Sequence, residues 1–267
     1  MAMQKIVTAI ALTCAGLIGT SANAAPLSGS FNFSGQADVR VTGSMIDWGE
    51  LGAGNVTVFG TPTGDIQFTF GSNNFGAAGP YNLLLGAALG ELRDLNLATA
   101  PAGVPLATPI NNFLTADLYP GLNFQLTFLS PGTGTNAECQ NGLGDLPGSD
   151  CTLFPQSPFT ISNTAPGPPP DNIVGSTVGW KLSGNLYENG VLAGLWSATF
   201  TSQFADQTAA ELIDQIEDEN IGFVRNSFSA TVVVTPQTQQ VPEPATLALM
   251  GLALSGMAVA IRRRPRA

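Results

Sequence analysis

The feature that most constrains the fold of this chain is a period-two alternation of apolar and polar residues. Its clearest instance is the run Leu122, Phe124, Leu126 and Phe128, in which polar residues separate the four apolar ones. Successive side chains of a β-strand point to opposite faces, so this pattern predicts strands with one buried face. Alternating or strand-like runs recur at residues 31–33, 39–41, 44–48, 56–59, 66–70, 178–182 and 228–234.

Two local signals stand out late in the chain. Asn189 and Gly190 separate two apolar-rich segments, and because both residue types tolerate positive φ, they predict a two-residue hairpin turn. Farther on, the apolar period becomes that of a helix, and Thr208 with Glu211 forms a capping box. We therefore expect one amphipathic helix from residue 207 to about residue 219.

Other segments are predicted to lie outside the sheets. Residues 71–91 are rich in Gly, Asn and Ala, and prolines interrupt residues 98–109, so we interpret both as irregular connections around a strand at 92–97. The proline run at 165–170 is interpreted as a stiff spacer. Many short strands, abundant turn residues and one late helix predict an antiparallel β-sandwich, jelly-roll-like in its connections.

The first 24 residues have the organisation of a secretory signal peptide. Lys5 precedes an apolar run at 6–18, which would form the signal helix, and Ala22 and Ala24 place small residues where signal peptidase reads them. We expect the secretion translocon to export the chain and signal peptidase to cleave it after Ala24. Cys14 would be discarded with this segment.

The last 27 residues combine three features in a fixed order. The tetrapeptide 241–244 consists of Val241, Pro242, Glu243 and Pro244. An uncharged run follows at 245–261, and as a helix it would span about 25 Å, enough to cross a bilayer core at the short end of the range. Four arginines then hold the end of this transmembrane helix in the cytoplasm: Arg262, Arg263, Arg264 and Arg266.

Together these three features resemble the PEP-CTERM sorting domain of gram-negative bacteria. The resemblance implies recognition by exosortase, a membrane-embedded cysteine protease or transpeptidase, with cleavage near residues 241–244. It also implies a transient stay in the inner membrane, followed by delivery to the cell surface, usually in species that make extracellular polysaccharide. Members of this group share no single ectodomain activity, so the resemblance does not assign one here.

Charge excludes one class of partner. Residues 25–241 contain four basic residues and 18 of the 19 acidic residues of the chain; the remaining one is Glu243. That span therefore has a formal net charge of −14. Such a surface repels phosphate backbones, so we expect no nucleic-acid binding. The four basic residues are Arg40, Arg93, Lys181 and Arg225.

Cysteine usage agrees with export. Cys139 and Cys151 are the two cysteines that remain after signal cleavage, and in an oxidising compartment we expect them to form a disulfide. The segment between them is rich in turn residues, so closing it would stabilise the fold by about 2 to 4 kcal/mol.

The sequence contains no histidine, which excludes Ser-His-Asp and Cys-His catalysis and histidine-ligated metals. Carboxylate chemistry remains, with Asp47, Glu50 and Asp65 as candidates near strand ends, but no spacing selects them. We expect no enzymatic activity and no cofactor. A calcium site is the alternative, either at Glu138, Asn141, Asp145 and Asp150 or at the acidic residues 214–219.

The predicted organisation is a signal peptide at 1–24, a β-sandwich ectodomain at 25–235, a linker at 236–241 and a sorting domain at 241–267. We expect a structural protein of the cell surface or extracellular matrix, associated with exopolysaccharide or biofilm. A carbohydrate-binding module or adhesin is the first alternative and a polysaccharide-active enzyme the second. Exposed tryptophans among Trp48, Trp180 and Trp196 would favour the first; two carboxylates about 5 to 9 Å apart in a cleft would favour the second.

Overall fold

The computed structural model describes residues 25–84, 88–140, 150–164 and 175–237. The chain divides into two units, Met1–Pro236 and Gln237–Ala267. Every strand and helix of the described residues belongs to the first unit.

Within the described residues the first unit contains sixteen strands, all paired antiparallel, and three short helices. The strands are β1 (Gly29–Gly35), β2 (Val39–Val41), β3 (Met45–Trp48), β4 (Glu50–Gly52), β5 (Val56–Val58), β6 (Thr63–Gly71), β7 (Leu89–Arg93), β8 (Leu95–Asn96), β9 (Pro105–Leu114), β10 (Leu122–Leu129), β11 (Asp150–Cys151), β12 (Thr160–Asn163), β13 (Gly175–Glu188), β14 (Val191–Ala205), β15 (Val224–Asn226) and β16 (Ser229–Pro236). The helices are the 3₁₀ turn Asn73–Phe75 and the α-helices Asn136–Gln140 and Ala209–Glu217.

The largest sheet closes on itself. Its strand order is β10-β9-β7-β6-β1-β16-β14-β13-β12-β11, and β10 also pairs with β13. This extra pairing is possible because β13 is long: its Ser176–Gly179 part pairs with β12 and its Leu182–Glu188 part pairs with β10. Eight strands therefore form a closed circuit, and β12 and β11 extend from one side of it.

The order of the strands corrects one expectation. Around the circuit the strands follow the chain, β1, β6, β7, β9, β10, β13, β14 and β16, and β16 pairs with β1 again. A jelly-roll requires Greek-key connections between strands that are not successive neighbours. The connections here are those of a meander with short accessory strands inserted, so the jelly-roll expectation is wrong, whereas the antiparallel, mostly β class is confirmed.

Aromatic side chains fill the inside of the circuit and show that it is flattened. Phe31 of β1 and Phe124 of β10 lie on opposite sides of the circuit, yet their ring centroids are 5.5 Å apart. Phe33 of β1 packs edge-on against Phe200 of β14 at 5.7 Å. All four rings are buried, so opposite walls meet as two layers of a sandwich do.

A second sheet, with the order β15-β2-β3-β8, packs against this core through Trp48 of β3. The Trp48 ring lies 4.8 Å from that of Phe228, 5.2 Å from that of Phe200 and 5.8 Å from that of Trp180. The strands β4 and β5 form a separate two-stranded hairpin. Trp48 thus joins the small sheet to the interior of the closed one.

The two local signals late in the chain are confirmed. Asn189 and Gly190 connect β13 to β14 and have φ values of 50° and 81°. The late helix occupies Ala209–Glu217, slightly shorter than expected, and Thr208 and Glu211 form the reciprocal capping box. The helix ends at Asp218, whose carboxylate accepts hydrogen bonds from the main chain that follows it.

The expected irregular segments need partial correction. Residues 98–109 are not irregular throughout, because β9 begins at Pro105. The single strand expected at 92–97 is instead two, β7 and β8, which break at Asp94. Prolines are tolerated where a strand leaves its neighbour, which is the position of this part of β9. Residues 165–170 lie outside the described residues.

Candidate functional site

The predicted sorting and cleavage residues lie outside the described residues. These are Ala22 and Ala24 at the signal cleavage site, Val241, Pro242, Glu243 and Pro244, and Arg262, Arg263, Arg264 and Arg266. The predicted signal helix and the transmembrane helix predicted at 245–261 also lie outside the described residues. In the part of the chain that the structure describes, no helix has the length and apolar character needed to cross a membrane.

The two cysteines of the ectodomain form a disulfide. The Cα atoms of Cys139 and Cys151 are 5.4 Å apart, and both side chains are buried. The bond connects the Asn136–Gln140 helix to β11, which adds only two residue pairs to the edge of the large sheet. The Asn136 side-chain amide donates to the Leu153 main-chain oxygen and holds the same helix in place.

The acidic residues around this disulfide are engaged by neighbouring protein groups. Glu138 Oε2 accepts from the Thr135 main-chain N–H at 2.6 Å. The Asp150 carboxylate accepts from Ser162 Oγ at 2.5 Å and from Thr133 Oγ1 at 3.1 Å. The other two candidate ligands, Asn141 and Asp145, fall outside the described residues.

The acidic end of the late helix is organised by Asp218. Its Oδ1 accepts from the main-chain N–H groups of Asn220 at 2.7 Å and Ile221 at 3.2 Å. These bonds favour the ionised form and hold the pKa of Asp218 below its usual value. Over the described residues, no three Asp, Glu, Cys or His side chains are grouped so that they could hold a metal ion.

The three candidate catalytic carboxylates have separate partners. Asp47 is completely buried and forms an ion pair with Arg40. Asp65 Oδ2 accepts from the Leu51 main-chain N–H at 2.8 Å. Glu50 Oε1 accepts from Thr63 Oγ1 at 3.4 Å. The partner of Asp47 lies in β2, that of Asp65 in β4 and that of Glu50 in β6, so no two of the three carboxylates share a partner.

Arg40 is itself held between two aromatic rings. Its guanidinium carbon lies 4.9 Å from the Phe59 ring centroid and 5.9 Å from that of Phe223. A guanidinium stacked on aromatic rings keeps its charge while losing water, and the buried Asp47 compensates that charge. The Arg40–Asp47 pair joins β2 to β3 within the small sheet, and the rings of Phe59 and Phe223 bring the neighbouring loops against it.

Asp94 is the residue in this neighbourhood that sequence reasoning missed. Its Oδ1 accepts from the Trp48 main-chain N–H at 2.8 Å, and the indole N–H of Trp48 donates to the Arg93 main-chain oxygen at 3.0 Å. Burial raises the pKa of Asp94 to about 6; the Trp48 hydrogen bond opposes this rise. Asp94 lies at the break between β7 and β8, which no local pattern marks.

The tryptophans are not exposed. Trp48, Trp180 and Trp196 are each at most 2 % exposed, which confirms that they are core residues. Trp196 also donates its indole N–H to the Gln125 main-chain oxygen at 3.0 Å. None of the three can present a ring face to a sugar at the surface.

Comparison with known proteins identifies a sorting motif near the end of the chain. The family model of the PEP-CTERM protein-sorting motif matches residues 240–264. No solved structure and no curated protein matches the sequence. The match confirms the resemblance drawn from the tetrapeptide, the apolar run and the arginines.

Proposed function

Because the chain carries a PEP-CTERM protein-sorting motif at residues 240–264, we propose that it is a structural protein of the cell surface or extracellular matrix, associated with exopolysaccharide or biofilm. The motif implies an extracellular protein sorted by exosortase through a membrane-anchored intermediate. This match is the observation that carries the proposal. The signal peptide predicted at 1–24 agrees with the same route.

The physical chemistry of the tail gives each part a role. Proline disfavours helical conformations in the residue before it, so from the sequence we expect the chain around Glu243 to be extended and accessible to an enzyme. We expect the apolar run at 245–261 to hold that segment at the membrane surface and the arginines after it to stop further transfer across the membrane. We propose cleavage near Glu243, with signal peptidase, the translocon and exosortase as the partners in export.

A structural role for the ectodomain is supported by how its carboxylates are used. Asp47, Glu50 and Asp65 each bind a protein group, and such bonds stabilise strand ends and loops. We therefore propose that the ectodomain has a structural role outside the cell and is not a catalyst.

Intact mass spectrometry of the protein recovered from the cell surface tests the export route. We expect the mass to show loss of residues 1–24 and of the segment that contains 245–266. In a strain without exosortase, the second loss should be absent and the protein should remain in the inner membrane. A full-length, uncleaved chain in the cytosol of the normal strain would contradict the proposal.

Replacement of Glu243 tests recognition of the motif. Glu243→Ala removes the only charge between Pro242 and Pro244, so we expect uncleaved protein to accumulate in the inner membrane. The matched control is Glu219→Ala, which removes an exposed carboxylate of the ectodomain and should leave cleavage unchanged. Cleavage of the Glu243→Ala variant at the normal rate would show that exosortase does not read this residue.

A further inference from the structure

A polar cleft opens in the wall of the closed sheet, between β9 and the chain that runs from the end of β7 into β8. Its volume is about 500 Å³, within the range of small-molecule sites. One side is formed by Arg93, Asp94, Asn96 and Thr99, and the other by residues 107–111 of β9.

The cleft exists because two strands of the circuit separate. The outer edge of β7 pairs with the last residue of β9 and with the residue that follows it: Leu92 is opposite Leu114, and the Thr115 N–H donates to the Glu91 oxygen at 3.0 Å. Before Leu114, β9 diverges from β7. At the point of divergence, Arg93 Nη1 donates to the Asn111 main-chain oxygen at 3.2 Å.

The edge of β9 disfavours a peptide as the ligand. Pro105 and Pro109 have no main-chain N–H and cannot donate to an added strand. The row of main-chain N–H donors that an added strand would need is therefore interrupted at this edge. A ligand that binds through its own hydroxyl groups does not require a regular row.

The side chains of the cleft suit hydroxyl groups. The Arg93 guanidinium donates and the Asp94 carboxylate accepts. The Thr108 hydroxyl can do both, and the Thr99 hydroxyl, which donates to the Asn96 main-chain oxygen at 3.1 Å, can accept. Arg93 and Asp94 carry opposite charges, so the cleft has no formal net charge. A sugar hydroxyl both donates and accepts, which matches this mixture of groups.

The wall that bears Asp94 is rigid. Trp48 is fully buried and binds both Asp94 and the Arg93 main chain, so the two charged residues are fixed to the core of the protein. A site held by buried neighbours loses little conformational entropy when a ligand binds.

We propose that this cleft binds a short segment of an uncharged polysaccharide. The inference rests on the proposed association with exopolysaccharide and identifies the part of the protein that would contact the polysaccharide. A polyanionic chain is excluded as the preferred ligand because the ectodomain is strongly acidic. No aromatic side chain is among the cleft residues, so each site binds weakly, with a dissociation constant on the order of 1 mM. When many copies of the protein bind one polysaccharide chain, the overall avidity is higher than the affinity of a single site.

The test is a titration of the full-length chain in detergent, labelled with 5-fluorotryptophan. Cellohexaose, mannohexaose and chitohexaose are the uncharged probes, and a galacturonic acid hexamer is the anionic comparison. The three fluorine resonances are assigned with the variants Trp180→Phe and Trp196→Phe. We expect at least one uncharged hexasaccharide to shift the Trp48 resonance while those of Trp180 and Trp196 stay in place, because Trp48 contacts two cleft residues.

Two variants and their controls locate the binding. Asp94→Asn removes the negative charge of a cleft acceptor and Thr108→Val removes a hydroxyl group, and each change should weaken binding about fivefold or more. Asp117→Asn and Thr69→Val make the same chemical changes at exposed positions outside the cleft and should bind as the wild type does.

Three results would overturn the assignment of this cleft. These are no shift of Trp48 with any uncharged probe, a stronger response to the anionic hexamer, or unchanged binding in both cleft variants. Intact mass reports export separately, so a failure of the cleft and a failure of the export route are distinguished.

Discussion

At the scale of single residues, Gly184 of β13 is the glycine of the described residues at which an added Cβ atom would lie closest to a neighbouring main chain. A Cβ atom added there would lie 1.8 Å from the main-chain oxygen of Gln125 in β10 and 3.0 Å from the indole nitrogen of Trp196. The same Gln125 oxygen accepts the Trp196 hydrogen bond. Glycine at this position therefore allows β10 to reach β13 and the circuit to close.

We expect Gly184→Ala to lower the free energy of unfolding by about 3 kcal/mol, because backbone rather than a flexible side chain must move. Urea denaturation followed by far-UV circular dichroism measures the change. Gly179→Ala in the same strand is the matched control: its added Cβ would meet only the Phe200 oxygen at 3.6 Å, an ordinary contact. Equal stability of the two variants would contradict the close approach.

Asp94 gives the ectodomain a pH dependence of known sign. Burial raises the pKa of Asp94 from 3.8 to about 6, so between these values the folded chain holds a proton that the unfolded chain releases. The free energy of unfolding must then fall as the pH rises from about 4 to about 6. Because the carboxyl is half exposed, solvent screening reduces the effect to an order of 1 kcal/mol.

Asp94→Asn should abolish this contribution, since asparagine stays neutral and retains an oxygen acceptor for the Trp48 N–H. The measurement is urea denaturation of wild type and variant at pH 4 and pH 7. The variant should gain stability relative to the wild type at pH 7 but not at pH 4. A gain of equal size at both pH values would show that ionisation of Asp94 is not its cause.

At the scale of elements, the disulfide holds a segment that otherwise has few connections to the sheet. It joins the Asn136–Gln140 helix to the two-residue strand β11 and closes a loop of sequence separation 12. Restricting the unfolded chain in a loop of this size stabilises the folded state by about 3 kcal/mol.

We expect the double variant Cys139→Ala with Cys151→Ala to lose about that amount in urea denaturation. Alanine is chosen because both positions are buried and a serine hydroxyl would add its own desolvation penalty. A reducing agent should destabilise the wild type by a similar amount and leave the double variant unchanged. Equal stability of wild type and variant under oxidising conditions would refute a stabilising role.

The elements also show which patterns can be interpreted locally. The β10 and β14 strands follow the alternation directly, because one face of each is buried in the sandwich. The start of β9 was missed because prolines normally interrupt a ladder. Here Pro105 is the first residue of the strand and Pro109 lines the cleft. Asp94 was missed for a related reason: its surroundings come from Trp48, 46 residues earlier in the chain.

At the scale of the whole molecule, closure of the sheet depends on pairing that is distant in sequence. Leu122 of β10 pairs with Glu188 of β13, and Gly29 of β1 pairs with Val234 of β16. These two contacts complete the circuit, and both bring together segments that give no sign of each other in the sequence. The net negative charge is also a property of the whole molecule, because it repels an anionic partner from every part of the surface.

The sequence by itself determined the features that arise from neighbouring residues. These are the strand-forming alternation, the Asn189–Gly190 turn, the capped late helix, the pair of cysteines and the sorting motif at the end of the chain. Only the tertiary structure decided that the sheet closes as a flattened meander, that β7 and β9 separate to leave a cleft, and that Asp94 is partly withdrawn from water. The physical reason is that hydrogen bonds and propensities within a few residues are encoded locally, whereas strand neighbours and burial depend on contacts between residues far apart in the chain.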